Sequence, residues 1–282
     1  MKSKPLILGH RGYKMKFPEN TLLAFSKAFE YGADGIECDV QKSSDGIYFV
    51  FHDPDLHRIT GYKGRINTVD SGQVRKLKAG EDQIVPDLDT FLDSLPEDKL
   101  INIELKTETL TVSDSMLIID ILEKRNLKDI VLISSDNDEL LYPFKEAGFL
   151  TGLLFKSGMF ENSLLYHLRT ILKLRPWSVN LRVNVFTPLT PSRWLFLYAI
   201  KLLKIKVIFW AVNSRKRYNR IKNIAYAIIT DEVEMLVKLR DEGVEVPSLI
   251  YLEKQYEKKR AEYGKVGDKE TEQGIQKQDF YN

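Results

Sequence analysis

The sequence predicts one (β/α)8 barrel of the TIM type, with a hairpin and a small insertion after its second strand. Three observations predict it. Short β-rich runs alternate with longer helical patterns, which argues for βα units around a parallel sheet. Eight such runs stand in the chain, the number that closes a barrel. The length of 282 residues suits one barrel, since a barrel typically takes about 250.

The strand candidates in order are Leu6–Gly9, Gly35–Val40, Leu100–Leu105, Ile130–Ser134, Thr151–Phe155, Trp177–Arg182, Lys206–Val212 and Tyr226–Ile229. Helical patterns separate them at Asn20–Tyr31, Leu88–Ser94, Asp114–Arg125, Asp136–Ala147, Ser163–Leu174, Pro191–Leu203 and Lys216–Asn223. A last helix, Glu232–Glu242, is expected to pack behind the eighth strand. Asn20 is placed to cap the first helix. Asp231 with Glu234 three residues later reads as a capping box for the last.

One segment breaks the alternation. Only Ser43-Ser44-Asp45-Gly46 precedes the β-rich run Ile47–His52, and Asp-Gly is a strong hairpin signal. That run is expected to fold back antiparallel on the second strand. With Asp45 and Gly46 as the central turn residues, His52 falls opposite Asp39. Pro54–Pro86 then contains Gly61, Gly64, Gly72 and Gly80 and no long periodic stretch. The barrel is therefore expected over residues 1–252, with a small insertion at 53–86. Residues 253–282 are Lys/Glu/Gln-rich with few large apolar side chains, as in a charged, disordered tail.

Bulk composition narrows the class. Net charge is only +2. The single cysteine, Cys38, excludes an intrachain disulfide and fits a reducing compartment. The apolar run after Lys2 and Lys4 is too short for a signal-peptide core. No stretch approaches the ~20 apolar residues of a membrane span. A cytoplasmic protein is the expectation. There is no internal repeat and no zinc-type Cys/His spacing.

Five short stretches carry the chemistry: His10-Arg11-Gly12, Pro18-Glu19-Asn20-Thr21, Ile36-Glu37-Cys38-Asp39-Val40, Phe51-His52-Asp53 and Ile103-Glu104-Leu105-Lys106. Side chains two apart on a strand leave the same face, so Glu37 and Asp39 point together while Cys38 points to the packed helices. Asn102, Glu104 and Lys106 share a face by the same period. Barrel enzymes hold their catalytic groups at the C-terminal ends of strands, where His10, Asp39, Glu104 and Lys106 fall. Converging carboxylates repel one another unless a cation joins them. Oxygen-only ligands suit Mg²⁺ or Ca²⁺ better than Zn²⁺. Of the four histidines, His57 and His167 read as ordinary surface residues. Cys38 reads as a small core residue.

These stretches, in this order, resemble the glycerophosphodiester phosphodiesterase family, whose pattern runs His-Arg-Gly, Pro-Glu-Asn-Thr, Glu-x-Asp-Val, Asp-Gly, His-Asp and Glu-x-Lys. Trp210-Ala211-Val212-Asn213 and Ile228-Ile229-Thr230-Asp231 resemble later pieces of it. The resemblance spans about residues 6–240. It implies a divalent ion held by Glu37, Asp39 and Glu104, with His10 and His52 as the acid–base pair. Arg11 and Lys106 would neutralise the phosphate, and Trp210 and Asn213 would line the substrate pocket. The nucleophile is water or the neighbouring glycerol hydroxyl. The sequence departs from the family at Ser134-Ser135, Pro86-Asp87-Leu88 and Glu232, none of them a metal or acid–base position. Two other readings stand beside hydrolysis of glycerophosphodiesters. One is a lysophospholipase D or sphingomyelinase D-like activity on lysolipids. The other is a non-catalytic phospholipid-binding barrel, whose sign would be a lost ligand or histidine; none is lost.

The second half of the chain differs in charge. From Asn162 through Thr230 there is no Asp or Glu, and there are thirteen Lys and Arg. Trp177, Trp194, Phe196, Tyr198 and Trp210 are interleaved. Basic residues with aromatic neighbours suit an anionic membrane surface, and with it a lysophospholipid substrate. No nucleic-acid motif accompanies the charge, so no nucleic-acid partner is expected. The plain alternative is core plus solvated helix backs.

Overall fold

The computed structural model describes residues 4–80, 82–156, 164–186 and 190–241. Its strands are β1 (Leu6–His10), β2 (Gly35–Lys42), β3 (Tyr48–Val50), β4 (Leu100–Leu105), β5 (Val131–Ser135), β6 (Leu150–Phe155), β7 (Ser178–Arg182), β8 (Lys206–Trp210) and β9 (Ala227–Thr230). All but β3 run parallel, and β1 pairs with both β9 and β2, which closes a barrel. This is the expected architecture. β1 pairs along the start of β2, and β3 lies antiparallel along its end.

Two-residue alternation explains how the barrel fills. Leu8, Leu132, Ile208, Ala227 and Ile229 form a small cluster inside it. The alternate positions, such as Ile7, Ile36, Cys38, Ile101 and Ile103, join the larger core between strands and helices. Gly35 allows β2 to lie close to β4, because a Cβ there would sit 2.1 Å from the Leu100 carbonyl oxygen.

The hairpin forms with a register one residue from the expected one. Val40 pairs Val50 and Lys42 pairs Tyr48, so Asp39 faces Phe51 and not His52. The cause is the turn. Ser43 Oγ donates to Asp45 at 2.7 Å, and Asp45 accepts from the backbone and side chain of Ser71 at 2.9 and 2.6 Å. Asp45 is thereby tied to the insertion, and Gly46 takes a left-handed φ of 89° in a three-residue loop. The residues from Pro54 to Pro86 form short helices at His57–Thr60 and Ser71–Val74 and a 3₁₀ turn at Ile66–Thr68. Phe49, Phe51, Leu56, Ile66 and Val85 belong to a second small core beneath them.

Both expected helix caps are corrected. The first helix is Leu22–Glu30, and Thr21 caps it by accepting from the Ala24 N–H at 3.2 Å. Asn20 stands at φ 55° and turns its amide to Asp39. The last helix is Val233–Asp241. Asp231 is drawn to His10 and Glu234 to Lys16 and Lys238, so no capping box forms. A capping box does form elsewhere, with Thr111 and Asp114 opening Val112–Glu123. The pattern 136–147 splits into a 3₁₀ turn, Asp138–Leu140, and a short helix, Tyr142–Glu146, because Pro143 cannot continue a helix from upstream. His57 is exposed as expected, whereas His167 is buried with its ring 5.2 Å from that of Phe155. The expected tail, 253–282, lies outside the described residues.

Candidate active site

The end of β1 sets the first group. After His10 the chain turns at once, with Arg11 at φ 53° and Gly12 at φ 79°. A Cβ at Gly12 would lie 2.6 Å from the backbone of Ala24, so only glycine lets the first helix close on this turn. The turn aims the Arg11 backbone N–H at Glu37 Oε2, at 3.1 Å, and its guanidinium at Glu19, at 2.8 Å. Arg11 Nε also lies 3.4 Å from Asp39. Burial opposes the charge on Arg11, but Glu19, Asp39 and Glu37 overcome it and raise its pKa. Burial likewise opposes the charge on Glu19, which Arg11 and Arg58 nevertheless hold down at about 2.

β2 and β4 supply the carboxylates. One oxygen each from Glu37, Asp39 and Glu104 lies within 4.8 Å of the others. Lys106 Nζ reaches Asp39 at 2.8 Å and Glu104 at 2.7 Å. Asn20 donates to Asp39 at 2.9 Å. Burial raises Glu37 well above the usual carboxylate range, and the charges of Asp39 and Glu104 add to the effect. Burial also disfavours the charge on Asp39, but Lys106, His52 and Arg11 keep it well below that range. Three buried carboxylates held within 4.8 Å, where burial and mutual repulsion outweigh the charges of Arg11 and Lys106 at Glu37, are a donor set that fits a hard divalent cation.

The two histidines flank this cluster. His10 Nδ1 meets Asp231 Oδ1 at 2.6 Å, while its Nε2 stands 3.9 Å from Glu37. Burial, joined by Lys14, pulls the His10 pKa down to about 4 against the upward pull of Asp231. Asp231 accepts further contacts from Lys14, at 3.2 Å, and from the Asn213 amide. His52 is less enclosed. Its Nδ1 meets Asp53 Oδ1 at 2.6 Å, and Asp53 is held in turn by Arg58. Gln41 donates to the carbonyls of His52 and Asp53 at 2.7 and 2.6 Å, pinning this loop over the end of β2.

A family profile described as the glycerophosphoryl diester phosphodiesterase family matches residues 10–235. The chain belongs to this family. Its enzyme class is accordingly that of a phosphoric diester hydrolase acting on glycerophosphodiesters. A glycerophosphodiester phosphodiesterase of Caldanaerobacter subterraneus is 30% identical over 85% of this chain and 99% of that one. The crystal structure of a glycerophosphodiester phosphodiesterase from Thermotoga maritima matches with a TM-score of 0.75 and 32% identity, covering 85% of this chain and 100% of that one. An Oleispira antarctica phosphodiesterase, solved in complex with the product sn-glycerol-3-phosphate, shares the fold with a TM-score of 0.72 and 22% identity over 85% of this chain and 98% of that one.

In this phosphodiesterase barrel, the geometry gathers His10, Arg11, Glu37, Asp39, Glu104 and Lys106 into one cluster, with the three carboxylates and Lys106 buried and His10 and Arg11 partly so, and His52 acts electrostatically on Asp39. Trp210 stands at the end of β8, its Nε1 donating to the Asn180 carbonyl at 3.2 Å and its ring 5.9 Å from the Arg182 guanidinium. Asn213 uses its amide on Thr230 and Asp231. Four further residues act on the cluster although the sequence does not point to them as site residues: Glu19, Gln41, Asp53 and Asp231. Gln41 could have been found, since it continues the two-residue period of Glu37 and Asp39. Asp53 and Glu19 stand inside the quoted motifs. Asp231 had a competing local explanation as a helix cap.

Proposed function

We propose that this chain hydrolyses glycerophosphodiesters on one divalent cation, Mg²⁺ or Ca²⁺, held by Glu37, Asp39 and Glu104. The convergence of these three buried carboxylates beside two carboxylate-bound histidines carries the reading. When bound, the cation supplies Lewis-acid charge to a phosphoryl oxygen. Arg11 and Lys106 add fixed positive charge for the remaining phosphate oxygens. Each is already held in place by carboxylates, so the phosphate meets preoriented donors.

His10 and His52 move the protons. A neutral imidazole with its Nδ1 on a carboxylate presents Nε2 as a base, as in hydrolase triads. His10 is enclosed between Asp231 and Glu37, which suits deprotonation of the attacking hydroxyl, from water or from the glycerol unit. His52, at 32% side-chain exposure, stands where an alcohol can leave to solvent. It protonates that alcohol, with Asp53 holding its ring. Trp210 lines the pocket for the alcohol, and Asn213 fixes Asp231. The buried cysteine fits a cytoplasmic setting. The basic stretch 162–230 favours an anionic membrane surface as partner, with lysophospholipids as a second substrate class.

The test is turnover of glycerophosphocholine with and without a chelator. Activity should vanish in the chelator and return with Mg²⁺ or Ca²⁺. Glu37→Gln and Glu104→Gln should be crippled while keeping the wild-type fold by circular dichroism. Full turnover in excess chelator contradicts the reading.

A further inference from the structure

A surface helix normally turns polar residues outward and one apolar stripe inward. The helix Pro191–Leu202 does not. Phe196, Leu197 and Ile200 are buried against the barrel. On the opposite side Trp194, Leu195, Tyr198 and Leu202 are exposed by 49, 65, 60 and 65%. Tyr198 lies four residues from Trp194 and three from Leu195, and Leu202 four from Tyr198 and seven from Leu195, which puts them on one continuous face. The helix is thus apolar where water should be.

The neighbouring helix, Leu164–Leu174, continues the patch. Phe155 packs edge-on against both His167 of that helix and Phe196 of the first, which sets the two side by side. Leu172 at its end is 54% exposed. Exposed cations stand at the ends of these two helices, Lys201 and Lys204 at the end of Pro191–Leu202 and Arg175 just past Leu164–Leu174, while Lys173 turns away to lie over the Tyr142 ring at 4.9 Å. Among the described residues none of Arg175, Lys201 and Lys204 has a carboxylate within ion-pair distance. The stretch 162–230 contains no acid at all.

We propose that the outer face of the Pro191–Leu202 helix is a docking surface for an anionic lipid bilayer. This deepens, and rests on, the reading of the basic stretch as lipid-facing. Trp and Tyr rings at the rim of an apolar stripe suit the headgroup region, and unpaired Lys and Arg beside them suit anionic lipid. The charge argues against a second copy of this face as the occupant, because that would bring Lys201 and Lys204 against one another. Among the described residues no helix is long and apolar enough to cross a membrane, so the contact is peripheral. The helix follows β7 and leads into β8, so it runs from the mouth of the barrel to its base. Trp194 and Leu195, in its first turns, lie at the mouth end and Lys201 and Lys204 toward the base, so the helix would lie lengthwise along a docked bilayer.

The experiment uses the full chain and vesicles of phosphatidylcholine with and without phosphatidylserine. Sedimentation should show about tenfold tighter binding to the anionic vesicles, falling with salt. Leu195→Ser with Leu202→Ser should weaken that binding about tenfold. Lys201→Glu with Lys204→Glu should erase the preference for anionic vesicles. Turnover of water-soluble glycerophosphocholine should be unchanged in all of them, which separates loss of docking from loss of the catalytic reading. Equal binding of the wild type to both vesicle types overturns the proposal. So does vesicle binding by both variants at the wild-type level. Trp194 fluorescence, read against Trp194→Phe, should shift to the blue only when anionic vesicles are added. A shift already complete in buffer, or one that follows protein concentration, would assign the face to the chain's own C-terminal segment or to a second copy, and would also overturn it.

Discussion

His10 and His52 each hold a carboxylate by Nδ1 at 2.6 Å, yet the two pairs are built in opposite ways. The partner of His10 is Asp231, 221 residues away, brought in when β9 pairs with β1. The partner of His52 is the next residue. His10 is enclosed, and Asp231 is held by Lys14 and Asn213, with Thr230 donating in turn to Asn213. His52 is a third exposed, on a loop tied down by Gln41. One pair is fixed by closure of the barrel, the other by a local turn with a path to solvent. The difference teaches that one motif, histidine on carboxylate, can be built enclosed or with a path to solvent, which is the basis of the two proton-transfer roles proposed for it.

The largest expected effect removes either ring. His10→Ala and His52→Ala should each lower kcat on the order of 10²- to 10⁴-fold, the usual range for general acid–base groups. Steady-state kinetics on glycerophosphocholine checks this, and a loss confined to one of them would break the pairing. The orienting carboxylates should then separate the two designs. Asp231→Ala should cost kcat toward the upper part of the roughly 10- to 100-fold range expected for groups that orient a reacting residue, and Asp53→Ala toward the lower part. The reverse order would mean that enclosure does not set the dependence.

How much of this was legible in the sequence follows from the same contrast. The barrel is readable because its strands are short apolar runs and its clustered carboxylates obey the two-residue period. That period alone places Glu37 and Asp39 together. The hairpin was readable, but its register was not, because Asp45 is held by Ser71 of the insertion and so cannot sit in a two-residue turn. Asp231 was placed correctly at a strand end and given the wrong task. A local capping pattern explained it, and only the β1–β9 pairing reveals the stronger claim of His10. Asn20 departs from its local cap signal for the same reason, since its amide goes to Asp39, nineteen residues on. Local signals named the residues, while closure of the barrel assigned several of their partners.

Smaller effects calibrate the comparison. Asp114 accepts from Lys42 at 2.7 Å, from Tyr48 at 2.9 Å and from Thr111, and sits outside the site. Burial opposes its charge, but Lys42 and Thr111 keep its pKa below the ordinary aspartate value. Its stabilisation should be present above the unfolded aspartate pKa and be lost as pH falls through the lower folded one. Asp114→Ala should lower stability by about 3 kcal/mol at pH 7 and by much less in strong acid, in urea melts, with kcat little changed. A large kcat loss would show that the Asp231 effect is not specific to the histidine. At the small end, His57→Ala should be neutral in both assays. His167→Ala should lose stability with kcat preserved, since that ring packs against Phe155.

The most direct test of the divided roles is the leaving group. A glycerophosphodiester of p-nitrophenol releases an anion that needs no proton, whereas choline release needs one. The account predicts that His52→Ala recovers near-wild-type kcat on the p-nitrophenyl ester while remaining crippled on glycerophosphocholine. His10→Ala should remain crippled on both. Rescue of His10→Ala by the p-nitrophenyl ester, with His52→Ala left inactive on it, would contradict the assignment.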